Sequence, residues 1–180
     1  MDDLHQTAAD AAAGDPLAAA RLVRETQSDV WRLCAALGDP GSADDLTQET
    51  YLRAFGSLHR FEGRSSLRTW LLAIARRVCA DAIRSRRRRR LTLVRDPAVL
   101  ERPSLADSSA EHAGVLDLLA RLDADRREAF VLTQLLGLSY AEAADVADCP
   151  VGTIRSRVAR ARADLVDALD DGASGKTATS

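Results

Sequence analysis

The sequence predicts an all-α protein made of two small helical domains joined by a flexible linker. Apolar residues recur with a helical period in almost every segment, no segment alternates as a strand does, and residues 91–111 have no period. A length of 180 residues with 46% hydrophobic residues allows two packed cores. The expected divisions are residues 10–90, the linker at 91–111, residues 112–170 and a disordered tail at 171–180.

Capping signals mark the first two expected helices. Asp15 suits an N-cap and Pro16 the first helical position, and Gly38 is expected to end this helix. Ser42 starts the second helix, and Asp45 three residues later is expected to complete a capping box.

A third helix is expected to begin near Ser65 or Ser66 and to continue into five consecutive arginines at 86–90. Such a run is either a solvated helix end or a set of contacts to DNA phosphates, and the sequence leaves both interpretations open.

Four short helices are expected in the second domain. After the first of them, Asp125 with Glu128 caps the second, and Ser139 with Glu142 caps the third. The last helix is expected to run from about residue 153 to residue 169.

Residues 139–162 have the pattern of a helix-turn-helix motif. A short capped helix is followed by Asp148, Cys149, Pro150, Val151 and Gly152, which favour a sharp turn, and then by a longer helix. The outward side of that second helix begins with polar residues suited to base edges and phosphates. These are Arg155, Ser156, Arg157 and Arg160. The alternative is a solvated arginine face on an ordinary bundle helix.

The formal net charge of −2 conceals a segregation of charge along the chain. Residues 1–50 carry a net charge of −7, residues 51–95 carry +11, and residues 153–162 carry +4. The basic residues are 24 arginines and one lysine, Lys176. Because arginine suits phosphate and base-edge contacts, the two basic blocks indicate nucleic-acid binding. A GC-rich genome would also raise the arginine content, but it would not segregate the charge.

Several classes of protein are disfavoured. The longest apolar run, Trp70–Ala75, is six residues, and neither a membrane span nor a secretory signal is expected. The three cysteines are widely separated, which disfavours a disulfide framework. His5, His59 and His112 lie far apart, and no phosphate loop or metal spacing occurs. We therefore expect a cytoplasmic protein without catalytic activity, cofactor or metal.

Three segments resemble, in order, conserved regions 2 and 4 of the extracytoplasmic-function (group IV) sigma factors of the sigma-70 family. They read SADDLTQETYLRAF, RFEGRSSLRTWLLAIARRV and LSYAEAADVADCPVGTIRSRVARAR. The phrases LTQLLGLSYAEAA and CPVGTIRSRVARAR look most like actinobacterial members of the sigma-C type. The resemblance implies a factor that binds core RNA polymerase, recognises the −10 and −35 promoter elements and directs transcription initiation. Many members also have an anti-sigma factor, so such a partner is possible here.

The resemblance also implies three groups of functional residues. Contacts to the β′ clamp helices of core polymerase are expected from Asp44, Asp45, Leu46, Gln48, Glu49 and Leu52. Recognition and melting of the −10 element are expected from Phe61, Arg64, Ser65, Ser66, Arg68, Trp70, Arg76 and Arg77. Binding of the −35 element is expected from Thr153, which would cap the recognition helix, and from Arg155, Ser156, Arg157 and Arg160.

Some alternatives stay open at this point. Trp70 lies beside the apolar stripe of its helix, so it is either a core residue or a base contact. Thr133 and Ala159 differ from the residues of some family members, so no −35 sequence is carried over. A stand-alone helix-turn-helix regulator would explain residues 112–170, but it leaves the first 90 residues without a role.

Overall fold

The computed structural model describes residues 3–38, 40–93 and 110–176. The chain divides into two compact units, Met1–Ala106 and Asp107–Ser180, here called the N-terminal and C-terminal units. Every regular element in the described ranges is a helix or a helical turn, which confirms the all-α fold class. No helix among these residues is both long and apolar enough to cross a membrane.

The N-terminal unit is a bundle of helices. Its elements are α1 (Asp3–Ala12), α2 (Pro16–Leu37), a 3-10 turn (Pro40–Ser42), α3 (Ala43–Ser57), a second 3-10 turn (Leu58–Arg60) and α4 (Leu67–Leu93). Helices α2, α3 and α4 pack against one another, and α1 packs on α2. The most buried large side chains of this core are Leu22, Val30, Leu33, Leu67, Leu71 and Leu72. Burial of these side chains is the main source of stability for the bundle.

Two hydroxyl groups on different helices pair inside this bundle. Thr26 donates its hydroxyl to the Leu22 carbonyl (2.7 Å), so the hydroxyl of Tyr51 donates to Thr26 (2.7 Å). This hydrogen bond joins α2 to α3 in the core. Pairing of this kind is needed because an unpaired buried hydroxyl costs about 1–3 kcal/mol.

Local signals identify the starts of α2 and α3, but the capping bonds expected at α3 are not made. The Asp15 carboxylate accepts from the Leu17 amide (2.8 Å), Pro16 is the first helical residue and Gly38 caps the end, as expected. Ser42 stands at the N-cap of α3, but its side chain makes no capping bond. The capping box with Asp45 is therefore wrong. The preceding 3-10 turn gives Ser42 a φ of −117° and a ψ of 8°, whereas an N-cap residue usually has extended backbone.

Several expected boundaries are corrected. Helix α1 (Asp3–Ala12) was not expected, although its apolar residues lie on one face as clearly as those of α2. Helix α4 continues to Leu93, so the linker prediction is wrong at residues 91–93, which contain no helix breaker. The linker prediction is likewise wrong at residues 110–111, which are helical. Its remaining part, 94–109, lies outside the described residues.

The C-terminal unit contains α5 (Ala110–Ala120), α6 (Ala124–Phe130), a π-helical segment (Val131–Leu135), α7 (Tyr140–Ala147) and α8 (Val151–Lys176). Its buried side chains include Leu119, Leu122, Ala129, Leu132, Ala143, Ile154 and Val158. The tail prediction is wrong for residues 171–176, where α8 continues, while 177–180 are not among the described residues.

Two capping pairs were predicted in this unit, Asp125 with Glu128 and Ser139 with Glu142, and the second is confirmed. The capping box of α7 is present: Ser139 accepts from the Glu142 amide (3.2 Å), and Glu142 accepts from the Ser139 amide (2.9 Å). At α6 the cap is Asp123, which accepts from the amide of Asp125 (3.0 Å). The prediction of Asp125 as the cap is therefore wrong by two residues.

Candidate nucleic-acid and protein interfaces

A pocket of about 240 Å³ lies between the second 3-10 turn and the start of α4. It is lined by Arg60, Phe61, Glu62, Gly63, Arg64, Ser65 and Trp70. The rings of Phe61 and Trp70 are half-buried, and their centroids lie 5.3 Å apart at 51°. Trp70 thus packs on the bundle and also lines the pocket.

Two serines shape the entry into α4. Ser66 accepts from the Thr69 amide (3.0 Å), and its hydroxyl lies 2.8 Å from that of Thr69. The Ser66 carbonyl also accepts from the Trp70 amide (3.0 Å), so Ser66 fixes the first turn that carries Trp70. Ser65 is half-buried and lines the pocket.

The arginines near the pocket differ in their surroundings. Arg64 is 85% exposed and forms an ion pair with Glu62. Arg68 is 32% exposed and donates to Asp29 of α2 (2.7 Å). Arg68 therefore ties α4 to α2 in addition to any contact with DNA. Farther along α4, Arg77 is exposed and Arg76 is half-buried.

The arginine run belongs to α4. Residues 86–89 are exposed on this helix, and Arg89 donates to the Ser85 hydroxyl (3.3 Å). Since successive helical residues are about 100° apart, the run places positive charge on every side of the helix.

One face of α3 combines acidic, polar and apolar side chains. Asp45 and Gln48 are exposed and Leu52 is 70% exposed, at the spacing of one helix face. Asp44 lies beside this face and accepts from the Trp31 indole (2.8 Å). Leu46 differs, because it is only 7% exposed and packs inside the bundle against Gly38. A Cβ at Gly38 would come within 2.6 Å of Leu46, so a larger residue at position 38 would displace the Leu46 side chain.

Glu49 is connected to α4 through Arg53. The Arg53 guanidinium donates to Glu49 (2.7 Å) and to Asp81 of α4 (2.8 Å). The hydrogen bond from Arg53, followed by that from Arg84, holds the pKa of the Asp81 carboxyl below its usual value. The acidic face of α3 is thereby joined to the helix that carries the arginine run.

The recognition helix of the C-terminal unit begins earlier than expected. Asp148 ends α7 in a left-handed conformation (φ 52°), and the Pro150 carbonyl accepts from the amides of Thr153 (2.9 Å) and Ile154 (3.3 Å). Helix α8 starts at Val151, so Thr153 lies in its first turn and the prediction of Thr153 as the cap is wrong. The Pro150 carbonyl is the first acceptor of the helix, so Val151 and Gly152 belong to its first turn.

The outward residues of α8 fall into two groups. Arg155, Ser156 and Arg160 are exposed, while Ile154 and Val158 point into the core. Arg157 is different: its side chain is 23% exposed and forms an ion pair with Asp125 of α6.

Helix α6 is held in place by further polar contacts. Arg126 donates to Asp164 of α8 (2.6 Å), and Arg127 donates to the carbonyls of Ala120 (3.2 Å) and Leu122 (3.1 Å). Burial lowers the pKa of the Arg127 guanidinium. These contacts fix the position of α6 and of its Asp125 beside α8.

Sequence reasoning missed several neighbours of these sites. Asp29 contacts Arg68 across 39 residues, and Asp125 contacts Arg157 across 32 residues. His5 lies with its ring centroid 5.2 Å from that of Phe61. A helical period indicates which face is outward, but it gives no information on such distant partners.

Two family models match the chain in order. Sigma-70 region 2 matches residues 22–89, and Sigma-70, region 4 matches residues 112–165. A helical bundle of the first type followed by a helix-turn-helix of the second defines a sigma factor of the sigma-70 class.

Known relatives narrow the class. The chain is 54% identical over 168 residues to the ECF RNA polymerase sigma factor SigC of Mycobacterium tuberculosis, covering 92% of this chain and 91% of the relative. It is 32% identical over 169 residues to the ECF RNA polymerase sigma-E factor of Escherichia coli K12, covering 83% and 85% of the two chains. The chain therefore belongs to the extracytoplasmic-function (ECF) sigma factors. It directs transcription initiation, and its partners are core RNA polymerase and promoter DNA.

Two solved structures have a similar fold. CnrH, solved in complex with the cytosolic domain of CnrY, is similar at a TM-score of 0.74 and 31% identity, covering 94% of this chain and 99% of that one. The sigma factor RpoE from Bartonella quintana, solved with the anti-sigma factor NepR, has a TM-score of 0.66 and 30% identity, covering 83% and 95%. The N-terminal unit matches region 2 of sigma factors. This match disfavours the alternative of a stand-alone helix-turn-helix regulator, which would leave that unit without a role.

Proposed function

We propose that the pocket beside Trp70 captures an unpaired base of the −10 element during promoter melting. Phe61 and Trp70 supply aromatic surface, and Arg60 and Arg64 supply positive charge beside it. Single-strand binding uses this combination, because every base has a stacking face and every nucleotide a phosphate. The observation that carries the proposal is the pocket itself, which lies within the segment matched by region 2.

The exposed start of α8 is the proposed −35 reader. Arg155 and Arg160 present guanidinium groups to the major groove, and Ser156 lies between them in sequence. Arginine is able to bind guanine with two hydrogen bonds, which gives sequence discrimination. Thr153 is half-buried in the first turn, where amides attract a phosphate. Arg157 contributes only if its ion pair with Asp125 opens.

The face of α3 formed by Asp45, Gln48 and Leu52 is the proposed contact with the β′ clamp helices. An exposed leucine surrounded by polar and acidic groups has the composition of an interface centre with a polar rim. Negative charge here also keeps DNA away from a surface that binds protein. Leu46 takes no part, because it is buried in the bundle.

Regulation and location are inferred from the same family. Two structures similar to this chain were solved with CnrY and with the anti-sigma factor NepR, which supports an anti-sigma partner here. Such a partner would inhibit run-off transcription when added before core polymerase. Because RNA polymerase acts on the chromosome, the proposed place of action is the cytoplasm.

The pocket is tested with core polymerase on a promoter fragment chosen because the wild-type chain initiates on it. Permanganate reactivity of unpaired thymines measures opening of the −10 element. Trp70→Ala removes a stacking surface worth about 1–3 kcal/mol per base, so opening is expected to fall roughly fivefold or more. Arg64→Ala is expected to reduce opening and to lower the salt slope of binding by about one.

Arg24→Ala is the matched control for Arg64→Ala, since Arg24 is an exposed arginine on α2 that lies away from the pocket. Wild-type opening is expected for this control. Wild-type opening by both Trp70→Ala and Arg64→Ala would contradict the proposed pocket, provided that core binding is unchanged.

A further inference from the structure

Helix α1 packs beside the pocket but lies outside the matched family region, which begins at residue 22. Thr7 and Ala8 are buried at 4% and 2% exposure. The helix contacts α2, α4 and the 3-10 turn Leu58–Arg60, which leads into the pocket loop. It is therefore a fixed part of the N-terminal unit, with one face toward the pocket loop.

His5 of α1 completes a row of three rings. Its centroid lies 5.2 Å from that of Phe61 at 47°, and the Phe61 centroid lies 5.3 Å from that of Trp70 at 51°. Tilted rings at these separations attract one another. Phe61, the first residue of the loop, is thus held between α1 on one side and α4 on the other.

The loop touches His5 a second time, at Gly63. This glycine has a φ of +69°, and a Cβ built on it would lie 3.0 Å from Cε1 and 3.2 Å from Nδ1 of His5. The backbone therefore passes the imidazole at a separation that leaves little room for a side chain. Phe61 and Gly63 both line the pocket, so His5 lies against two of the residues that form it.

We propose that His5 is a positioning residue that holds the base-capturing loop in its binding conformation before DNA arrives. Residues 61–66 lack regular helix, so ordering them on binding would cost conformational entropy. A loop already held by His5 avoids much of that cost, which is the general benefit of preorganisation. This inference rests on the proposed role of the pocket and adds α1 to the promoter-melting machinery.

The test uses the full-length chain bound to core polymerase and a single-stranded oligonucleotide of the −10 element from the same promoter. His5→Ala removes the ring, and affinity for the oligonucleotide is expected to fall about three- to tenfold, the range for one lost aromatic contact. His5→Phe keeps a ring beside Phe61 and is expected to stay within about twofold of wild type. Affinity for core polymerase is expected to be unchanged in both variants.

Gln6→Ala is the matched control on α1, because Gln6 is exposed and its side chain donates to Asp10 of the same helix. It is expected to behave as wild type. A double-variant cycle tests the contact between His5 and Gly63 directly. Gly63→Ala is expected to lower oligonucleotide affinity less in the His5→Ala background than in wild type, because the imidazole that the new Cβ would crowd is absent.

The results distinguish failure of the His5 proposal from failure of the proposed role of the pocket. If Trp70→Ala loses oligonucleotide binding but His5→Ala does not, the inference is wrong and the pocket stands. If neither variant loses binding, the pocket itself is wrong. Equal loss of core binding and oligonucleotide binding by His5→Ala, or failure of His5→Phe to restore binding, would also overturn the positioning role.

Discussion

At the scale of single residues, Arg157 and Arg160 lie one turn apart on α8 and have different surroundings. Arg160 is exposed, while Arg157 is drawn toward α6 by Asp125. A similar contrast occurs in the N-terminal unit. Arg64 pairs with Glu62 of its own loop and stays 85% exposed, whereas Arg68 pairs with Asp29 of another helix and is 32% exposed. The type of residue alone does not identify a DNA contact, because an arginine is equally suited to an intramolecular ion pair.

Because Asp125 pairs with Arg157, the substitution Asp125→Asn is expected to strengthen DNA binding rather than to weaken it. Without the carboxylate, Arg157 is free to reach a phosphate, so duplex binding should strengthen and its salt slope should steepen by about one. The stability cost should stay below about 1 kcal/mol, because the Asp125 side chain is 59% exposed. Fluorescence anisotropy of a labelled duplex over a salt series measures the slope.

Asp145→Asn is the control for that experiment, since Asp145 is an exposed acid on α7. It removes the same charge from the unit and leaves Arg157 paired. Equal slopes for Asp125→Asn and Asp145→Asn would show that Arg157 gains no phosphate contact.

Sequence patterns predicted the outward side of α8 but not these pairings. The inward positions of Ile154 and Val158 follow from the helical period, and their burial at 0% and 1% exposure agrees. Asp125 and Arg157 are 32 residues apart, and only the packing of α6 against α8 brings them together. The same limit explains why His5 was missed as a neighbour of Phe61.

At the scale of elements, local motifs predict a helix end correctly where two or three neighbouring residues form the capping hydrogen bonds among themselves. The α2 cap and the α7 capping box are of this kind, and both were predicted. The capping box of α3 and the start of α6 were predicted wrongly, because the preceding turn decides which side chain reaches the free amides. Helix α1 was missed, although it has an apolar face; in the structure it packs on α2, and such packing supplies most of the stability of a helix in a protein.

The capping box of α7 gives a local stability prediction. Ser139→Ala removes the bond to the Glu142 amide and should cost about 1 kcal/mol. Hydrogen exchange of α7 amides should therefore be about fivefold faster, while amides of α2 in the other unit serve as an internal reference. Ser139→Thr retains a capping hydroxyl and should stay near wild type. Unchanged exchange in Ser139→Ala would contradict the capping role.

The exposed leucine of α3 gives a second prediction for an element. Leu52→Ala should weaken binding to core polymerase roughly tenfold, because a leucine that becomes buried in an interface contributes about 1.5–3 kcal/mol. Leu17→Ala is the matched control, since Leu17 of α2 is 78% exposed and Leu52 is 70% exposed. Similar affinities for the two variants would remove the α3 face from the proposed interface.

At the scale of the whole molecule, the segregation of charge corresponds to separate surfaces. The acidic N-terminal segment includes Asp45 and Gln48 of α3, and the +11 segment includes the pocket loop and α4. The +4 segment is the start of α8 in the other unit. A net charge of −2 therefore describes neither the proposed core-binding face nor the proposed DNA-binding surfaces.

The proposed division between a core-binding face on α3 and DNA-binding basic surfaces is tested most directly by the affinity of core polymerase for the Asp45→Arg, Gln48→Arg double variant. Both positions are exposed, and neither is part of the Glu49–Arg53 ion pair. We expect core affinity to fall at least about tenfold, since like charges would face the partner, while duplex binding by the free chain is retained. Wild-type affinity for core polymerase would contradict the account.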